Sequence, residues 1–194
     1  MSAAARPIAT TRSAAGMPTA RLAVWWIIAS EIVIFGGLLS SYVMFRLAHS
    51  ESFAGQAFNT NTWIGAFNTL VLLTSSLAAV LGHKAAEEGD GVKASNQLLL
   101  TMAGGITFLV VKSVEWTHEI TEGFTISAHP FWSFYYTAAG IHALHVLAGV
   151  IIMGFVAYAA RKSQELHRVE IIGVYWHFVD VVWIFLFPLR YIAK

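Results

Sequence analysis

The chain contains no cysteine, and only 12% of its 194 residues are charged. The absence of cysteine excludes disulfides, thiolate metal sites and cysteine nucleophiles. A soluble domain usually has about 25% charged residues, so this low charge, together with 57% hydrophobic residues, indicates an integral membrane protein. The formal net charge of +1 provides no basic field for a nucleic acid. Eight histidines remain as the side chains suited to a transition metal or a haem.

Alternating strand patterns are also absent, which argues against a membrane β-barrel. Five apolar segments occur instead, at approximately 22–46, 63–83, 97–118, 131–160 and 171–192. Each reaches the ~20 residues that cross ~30 Å of hydrocarbon as a helix. Short polar connections leave no room for a soluble domain between them. The sequence therefore predicts an all-α integral membrane protein, with residues 22–194 forming one bundle of five transmembrane helices.

The N-terminal tail, residues 1–21, has no acidic residue and is rich in Ala, Ser, Thr and Arg. This composition also suits an organelle transit peptide, but we favour a disordered cytoplasmic tail. A cleaved secretory signal fits poorly, because the apolar run that follows is too long and contains Glu31.

The distribution of Lys and Arg predicts the orientation in the membrane. With the N-terminus inside, eight of these residues flank the helices on the inner side and three on the outer side. The positive-inside rule then favours a cytoplasmic N-terminus and a periplasmic C-terminus. The inner residues are Arg6, Arg12, Arg21, Lys84, Lys93, Arg161, Lys162 and Arg168, and the outer ones are Arg46, Arg190 and Lys194.

Several ionisable residues lie at membrane depth within the apolar segments. Charges there cost roughly 2.5–3.5 kcal/mol each on insertion scales, so we expect them to face the interior of the bundle and one another. His177 and Asp180 are one turn apart on one face, as are His142 and His145. The predicted buried polar cluster consists of Glu31, His142, His145, His177 and Asp180.

Three interpretations of this cluster compete: a structural polar core, a proton relay and a haem site. Of these, we favour the structural core. His142 and His145 share one helix face and cannot sandwich a haem, whereas His145 and His177 lie on different helices and could. No second histidine pair at matching depth supports haem, and zinc or copper at His142 and His145 lacks an evident third ligand. The sequence thus predicts neither a catalytic residue nor a metal site.

The third apolar segment ends in charged residues near the predicted outer surface. Lys112, Glu115 and Glu119 are spaced to share one helix face, with Trp116 beside them. Lys112 can extend its ammonium group toward the lipid headgroups or pair with Glu115. We favour an interfacial ion pair over a headgroup site made by Lys112, Glu115 and Trp116.

Five stretches of the chain resemble subunit III of the haem-copper terminal oxidases, in its short five-helix form. They are YWHFVDVVWIFLFPLRYI (175–192), YYTAAGIHALHVLAG (135–149), IIASEIVIFGGLLSSYVMFR (27–46), FNTLVLLTSS (67–76) and KSVEW (112–116). The stretches occur in the family's order, and the resemblance covers approximately residues 22–193. Glu31, Glu115, His142, His145, His177 and Asp180 match the family's polar signature.

The resemblance implies an accessory subunit of a proton-translocating oxidase that reduces dioxygen to water in aerobic respiration. The expected partners are subunit I in direct contact, subunit II and small subunits, with the haems and copper in those partners and no cofactor in this chain. Structural phospholipid is a further expected ligand. The expected location is the bacterial inner membrane. Cytochrome c and quinol both serve oxidases of this type, and the resemblance favours cytochrome c.

The chain also departs from the family pattern. Longer relatives have seven helices, and this chain lacks the first two, which form one wall of the family's lipid cleft. Three alternatives therefore stay open: a subunit III-like accessory protein of nitric oxide reductase, a haem b membrane anchor and a small proton-coupled carrier.

Overall fold

The computed structural model describes residues 19–189 of the chain, and these form six helices and no strand. The helices are α1 (Thr19–Ala48), α2 (Ser50–Ala57), α3 (Thr62–Glu87), α4 (Gly91–Thr121), α5 (Pro130–Arg161) and α6 (His167–Phe187). Five of them, all except α2, are long and apolar enough to cross a membrane. The predicted all-α fold with five spanning helices is confirmed. Arg6, Arg12, Arg190 and Lys194 lie outside the described residues, and the orientation stays a prediction.

The short helix α2 was not predicted, because the sequence between the first two apolar segments is polar and brief. It is held in place by aromatic contacts. Phe53 is 1% exposed and packs against the rings of Tyr42 and Phe131. The Trp132 indole donates a hydrogen bond to the side-chain oxygen of Gln56 at 2.8 Å. Helix α2 thereby covers the end of the bundle where α5 begins.

The inner helices pack as neighbours in the order α6, α3, α4 and α5, with α5 also contacting α6. Three side chains of α6 bond to α3: the Trp176 and Trp183 indoles donate to Ser75 and Thr69, and His177 bonds to Ser76. From the Trp176–Ser75 pair to the Trp183–Thr69 pair, residue numbers rise along α6 and fall along α3, so the two helices are antiparallel. These contacts bury the face of α6 that carries its polar residues.

Helix α1 lies at the edge of the bundle. Its buried residues, Ile28, Phe35 and Tyr42, are seven residues apart and so form one narrow stripe. Both ends of α1 are tied to the chain around α6. Arg21 forms an ion pair with Glu170, and the Tyr42 hydroxyl donates to the carbonyl of Leu189 at 2.9 Å.

Glycines create a slot for the largest side chain of α6. A Cβ atom added to Gly105 would lie 2.6 Å from Trp176, and one added to Gly149 would lie 3.0 Å from it. Trp176 is fully buried there. By contrast, a Cβ atom added to Gly36 meets nothing within 4 Å among the described residues, so Gly36 is not a close-packing position within this part of the chain.

Candidate functional site: buried polar groups of the bundle

The five residues of the predicted polar cluster occupy three separate places in the bundle rather than one. Glu31 and His145 join α1 to α5. His177 and Asp180 lie at the boundary of α6 with α3. His142 lies in an aromatic box between α4 and α6.

The first place is a contact between Glu31 and His145. Glu31 Oε1 lies 3.2 Å from His145 Nε2, and the two side chains are 14% and 22% exposed. His145 Nδ1 lies 2.7 Å from the carbonyl of Ile141. A carbonyl can only accept, so Nδ1 carries a hydrogen and Nε2 faces the carboxyl group. The Tyr175 hydroxyl donates to the carbonyl of His145 at 3.1 Å, which adds α6 to the same junction.

The second place holds His177 and Asp180. His177 Nδ1 bonds to the Ser76 hydroxyl of α3. Asp180 is 3% exposed and lies beside the same hydroxyl, but neither carboxyl oxygen makes a well-formed hydrogen bond within residues 19–189. The sequence predicted that these ionisable residues would face one another. His177 instead bonds to Ser76, because this face of α6 packs on the second span, α3.

The third place is the environment of His142, which is fully buried. Its ring stacks on Trp183 at 5.2 Å between centroids and meets the edge of Phe108 at 5.3 Å. Phe108 and Trp183 also contact each other at 4.8 Å. His142 is therefore one face of an aromatic box, whereas His145 points to α1.

The histidines do not converge on a common point. His145 faces α1 and His177 faces α3, so each ring is engaged with a different neighbouring helix. Within the part of the chain that the structure describes, no three His, Asp or Glu side chains are close enough to hold a metal ion. The arrangement offers hydrogen bonding and packing between helices.

A fourth polar site surrounds Lys112 and contains three deeply buried ionisable residues. Lys112, Glu115 and Glu119 are 2%, 3% and 4% exposed. The Lys112 ammonium group donates to Glu115 Oε2 at 2.9 Å and to the Tyr135 hydroxyl oxygen at 2.7 Å. The Tyr135 oxygen also lies 2.9 Å from Glu119 Oε1 and 3.1 Å from Glu115 Oε1. We call these four residues the Lys112 network.

The Lys112 network corrects one expectation and extends another. Lys112 does not reach toward the headgroups, because its ammonium group is turned into the bundle and lies 4.5 Å from the centre of the Tyr135 ring. The expected pair with Glu115 forms, but in the interior of the bundle. The sequence analysis did not identify Tyr135 as a member of this site. The available signal was its position near the start of α5, the helix that follows α4 in the chain. Trp116 packs at the edge of the network against Tyr136.

Two cavities adjoin these sites. A cavity of about 540 Å³ lies between the segment 58–64 and the end of α4, where Glu115 and Glu119 contribute to its wall. A groove of about 620 Å³ runs between α1, α5 and α6. The groove is lined by aliphatic and aromatic side chains, with Arg168 and His145 as its charged or polar members.

Comparison with known proteins identifies the family. The family model described as cytochrome c oxidase subunit III matches residues 8–193. The chain belongs to the cytochrome c oxidase subunit III family. The cytochrome c oxidase subunit 3 of Corynebacterium diphtheriae is 33% identical, with 86% of this chain and 84% of that protein covered. The protein of the same name from Thermostichus vulcanus is 32% identical, with 84% and 82% covered.

A third relative differs in length. The haem-copper oxidase subunit I+III of Aeropyrum pernix is 31% identical over 89% of this chain, which covers 22% of that longer protein. Subunit III membership makes this chain a multi-pass membrane subunit of the haem-copper oxidase class and implies association with other oxidase subunits. The four polar sites thus belong to a subunit III bundle.

Proposed function

We propose that this chain is the non-catalytic third subunit of a proton-translocating haem-copper terminal oxidase that reduces dioxygen to water. The match to subunit III along residues 8–193 carries this proposal. The geometry supports the non-catalytic part, because Glu31, His177 and Lys112 bond to other side chains of their own chain. The haems and copper belong to the partner subunits, and cytochrome c is the proposed electron donor.

The proposed role toward subunit I is mechanical. Much of α1 is available to a neighbour: Trp26, Val33 and Leu47 are 71%, 74% and 77% exposed. Four polar contacts among the described residues hold α1 on the bundle: Arg21–Glu170, Glu31–His145, Tyr42–Leu189 and Arg46–Leu189. An edge helix that is held firmly but open on its outer face suits docking to a larger membrane subunit. The buried polar residues then stabilise this subunit and, through it, the complex with subunits I and II.

Lipid binding is a second part of the proposal, and its site is the groove between α1, α5 and α6. Aliphatic walls suit an acyl chain, and Arg168 at the margin suits a headgroup phosphate. The Arg168 Nε donates to Glu165 at 3.1 Å, which orients the guanidinium group. Lys112, Glu115 and Trp116 are a poorer headgroup site, because the ammonium and carboxylate groups are buried.

The proposed location is the bacterial inner membrane, with the N-terminus in the cytoplasm and the C-terminus in the periplasm. Eight inner against three outer Lys and Arg residues support this orientation.

Purification of the tagged full-length chain from its native membrane tests the proposed function. We expect a haem-copper subunit I to co-purify, and the preparation to consume dioxygen with reduced cytochrome c. The chain expressed alone should show no haem absorption band. Co-purification with a nitric oxide reductase would support the nitric oxide alternative instead. A haem retained by the chain alone would support the membrane-anchor alternative and contradict the proposal.

A further inference from the structure

The Lys112 network contains one cation and two carboxyl groups in a region with almost no solvent exposure. If both Glu115 and Glu119 were ionised, the network would carry a net negative charge. Uncompensated charge in such an environment is strongly unfavourable, and buried groups avoid it by binding a proton or a counter-ion. Lys112 is the cation of the network, and its ammonium group contacts Glu115 directly.

The contacts around Tyr135 also indicate that a proton is needed, because they include more acceptor oxygens than hydrogens. The Tyr135 oxygen is close to an oxygen of Glu119, at 2.9 Å, and to an oxygen of Glu115, at 3.1 Å. A phenol has one hydrogen and can donate to one of them. Its lone pairs already accept from Lys112 at 2.7 Å. With both carboxyl groups ionised, the two oxygens compete for a single hydrogen.

We propose that Glu119 binds an exchangeable proton and is held in the network as a neutral carboxylic acid. Its Oε1–H then donates to the Tyr135 oxygen, and the Tyr135 hydroxyl donates to Glu115. Lys112 and the ionised Glu115 balance each other. Every short contact in the network then has one donor and one acceptor. No covalent bond other than this O–H bond forms or breaks, and the proton comes from water.

The proton belongs on Glu119 rather than Glu115 because the ammonium group of Lys112 directly contacts Glu115, which favours the ionised form of that residue. Glu119 is faced by Lys112, without direct contact, and by Glu115 from its own helix, and by Tyr135 and Tyr136 from α5. The Tyr136 hydroxyl donates to the carbonyl of Phe124 at 2.7 Å. The adjoining segment 58–64 brings asparagine and threonine but no charged residue.

The 540 Å³ cavity provides the route by which the proton exchanges. Glu119 is 4% exposed and contributes to the cavity wall, and its second oxygen, Oε2, has no hydrogen-bond partner within residues 19–189. Water in the cavity can bond to that oxygen. His118 and Glu122 form a separate, exposed pair at 3.4 Å nearby. The site therefore takes protons from the aqueous side at which α4 ends.

Infrared spectroscopy of the full-length chain, purified with the subunits that it retains, tests this proposal independently of any oxidase activity. We expect a carboxylic acid C=O band that shifts in D₂O and is lost in Glu119→Gln. The matched control is Glu122→Gln, which removes a carboxyl group one turn away that is exposed and paired with His118; it should keep the band. Persistence of every such band in Glu119→Gln would overturn the proposal.

Two further variants keep the test decisive if Glu119→Gln does not fold. Tyr135→Phe removes the acceptor of the acid proton and should shift the frequency of the same band; an unchanged frequency would contradict the proposed hydrogen bond. Ile64→Trp fills the cavity beside Glu119 and should slow the exchange of the band in D₂O. Equal exchange rates in wild type and Ile64→Trp would exclude the cavity as the route.

Discussion

The Glu31 carboxyl group lies 3.2 Å from His145 Nε2 and joins the edge helix α1 to α5. Since Nδ1 of the same ring is engaged by the Ile141 carbonyl, the imidazole is fixed at both nitrogens. Helix α1 buries only a narrow stripe of its surface, so this polar contact contributes a larger share of its attachment than it would in an inner helix.

Replacing Glu31 separates a structural role from a proton-relay role. Glu31→Gln keeps the shape and a hydrogen bond to His145, whereas Glu31→Ala removes both and should cost about 1–3 kcal/mol. We expect Gln to behave almost as wild type and Ala to loosen the chain from its complex. Subunit retention and dioxygen consumption measure the two effects. An intact Gln complex with strongly reduced turnover would support the relay instead.

The bond between Ser76 and His177 should contribute to the pairing of α3 with α6. Ser76→Ala leaves the imidazole without its α3 partner and should lower the free energy of unfolding by about 1–3 kcal/mol. Ser41→Ala is the matched control, because the Ser41 hydroxyl is exposed and bonds to a carbonyl of its own helix. The free energies of unfolding of the two variants can be measured in detergent mixtures and compared. Equal stability of both variants would show that the contact is energetically neutral.

Lys112 should be required for the stability of the fold in any variant that keeps Glu115. Lys112→Met leaves Glu115 in the interior without its ammonium partner, and we expect a loss of about 3–5 kcal/mol. The double variant Lys112→Met, Glu115→Leu should recover much of this loss, because it removes both members of the pair. Lys84→Met, near the end of α3, is the control. A single variant as stable as wild type would contradict the buried ion pair.

The glycine slot around Trp176 predicts that a glycine-to-alanine substitution lowers stability at Gly105 but not at Gly36. Gly105→Ala places a Cβ atom 2.6 Å from Trp176 and 2.7 Å from Val150, and overpacking of this kind costs about 1–3 kcal/mol. Gly36→Ala should leave the chain's own stability unchanged or slightly increased, because nothing lies within 4 Å and alanine favours helix. The thermal midpoints of the two purified variants provide the comparison.

The predicted orientation can be tested without the complex. Five spanning helices place the two chain ends on opposite sides of the membrane, and the Lys and Arg distribution places the N-terminus inside. Reporter fusions should therefore show a cytoplasmic N-terminus and a periplasmic C-terminus. Finding both ends on one side would contradict an odd number of spans.

Sequence alone determined the class of the fold. The five apolar segments are long enough to span hydrocarbon, and in that environment a helix is the structure that satisfies its own backbone. Sequence also identified the ionisable residues at membrane depth, because any charged residue within such a segment stands out. Spacing placed His177 beside Asp180 and Lys112 beside Glu115, since residues three apart share a helix face.

The tertiary structure alone decided which helices those faces meet. Helical periodicity specifies a face but not the neighbour that covers it, and so the sequence did not reveal that His177 bonds to Ser76 or that His145 bonds to Glu31. It also did not reveal that Tyr135 joins Lys112 to both glutamates. Neighbours are selected by the fit of whole surfaces, such as Trp176 in the slot at Gly105 and Gly149. The long-range packing of side-chain volumes, which no local pattern encodes, therefore set the partners of each polar group.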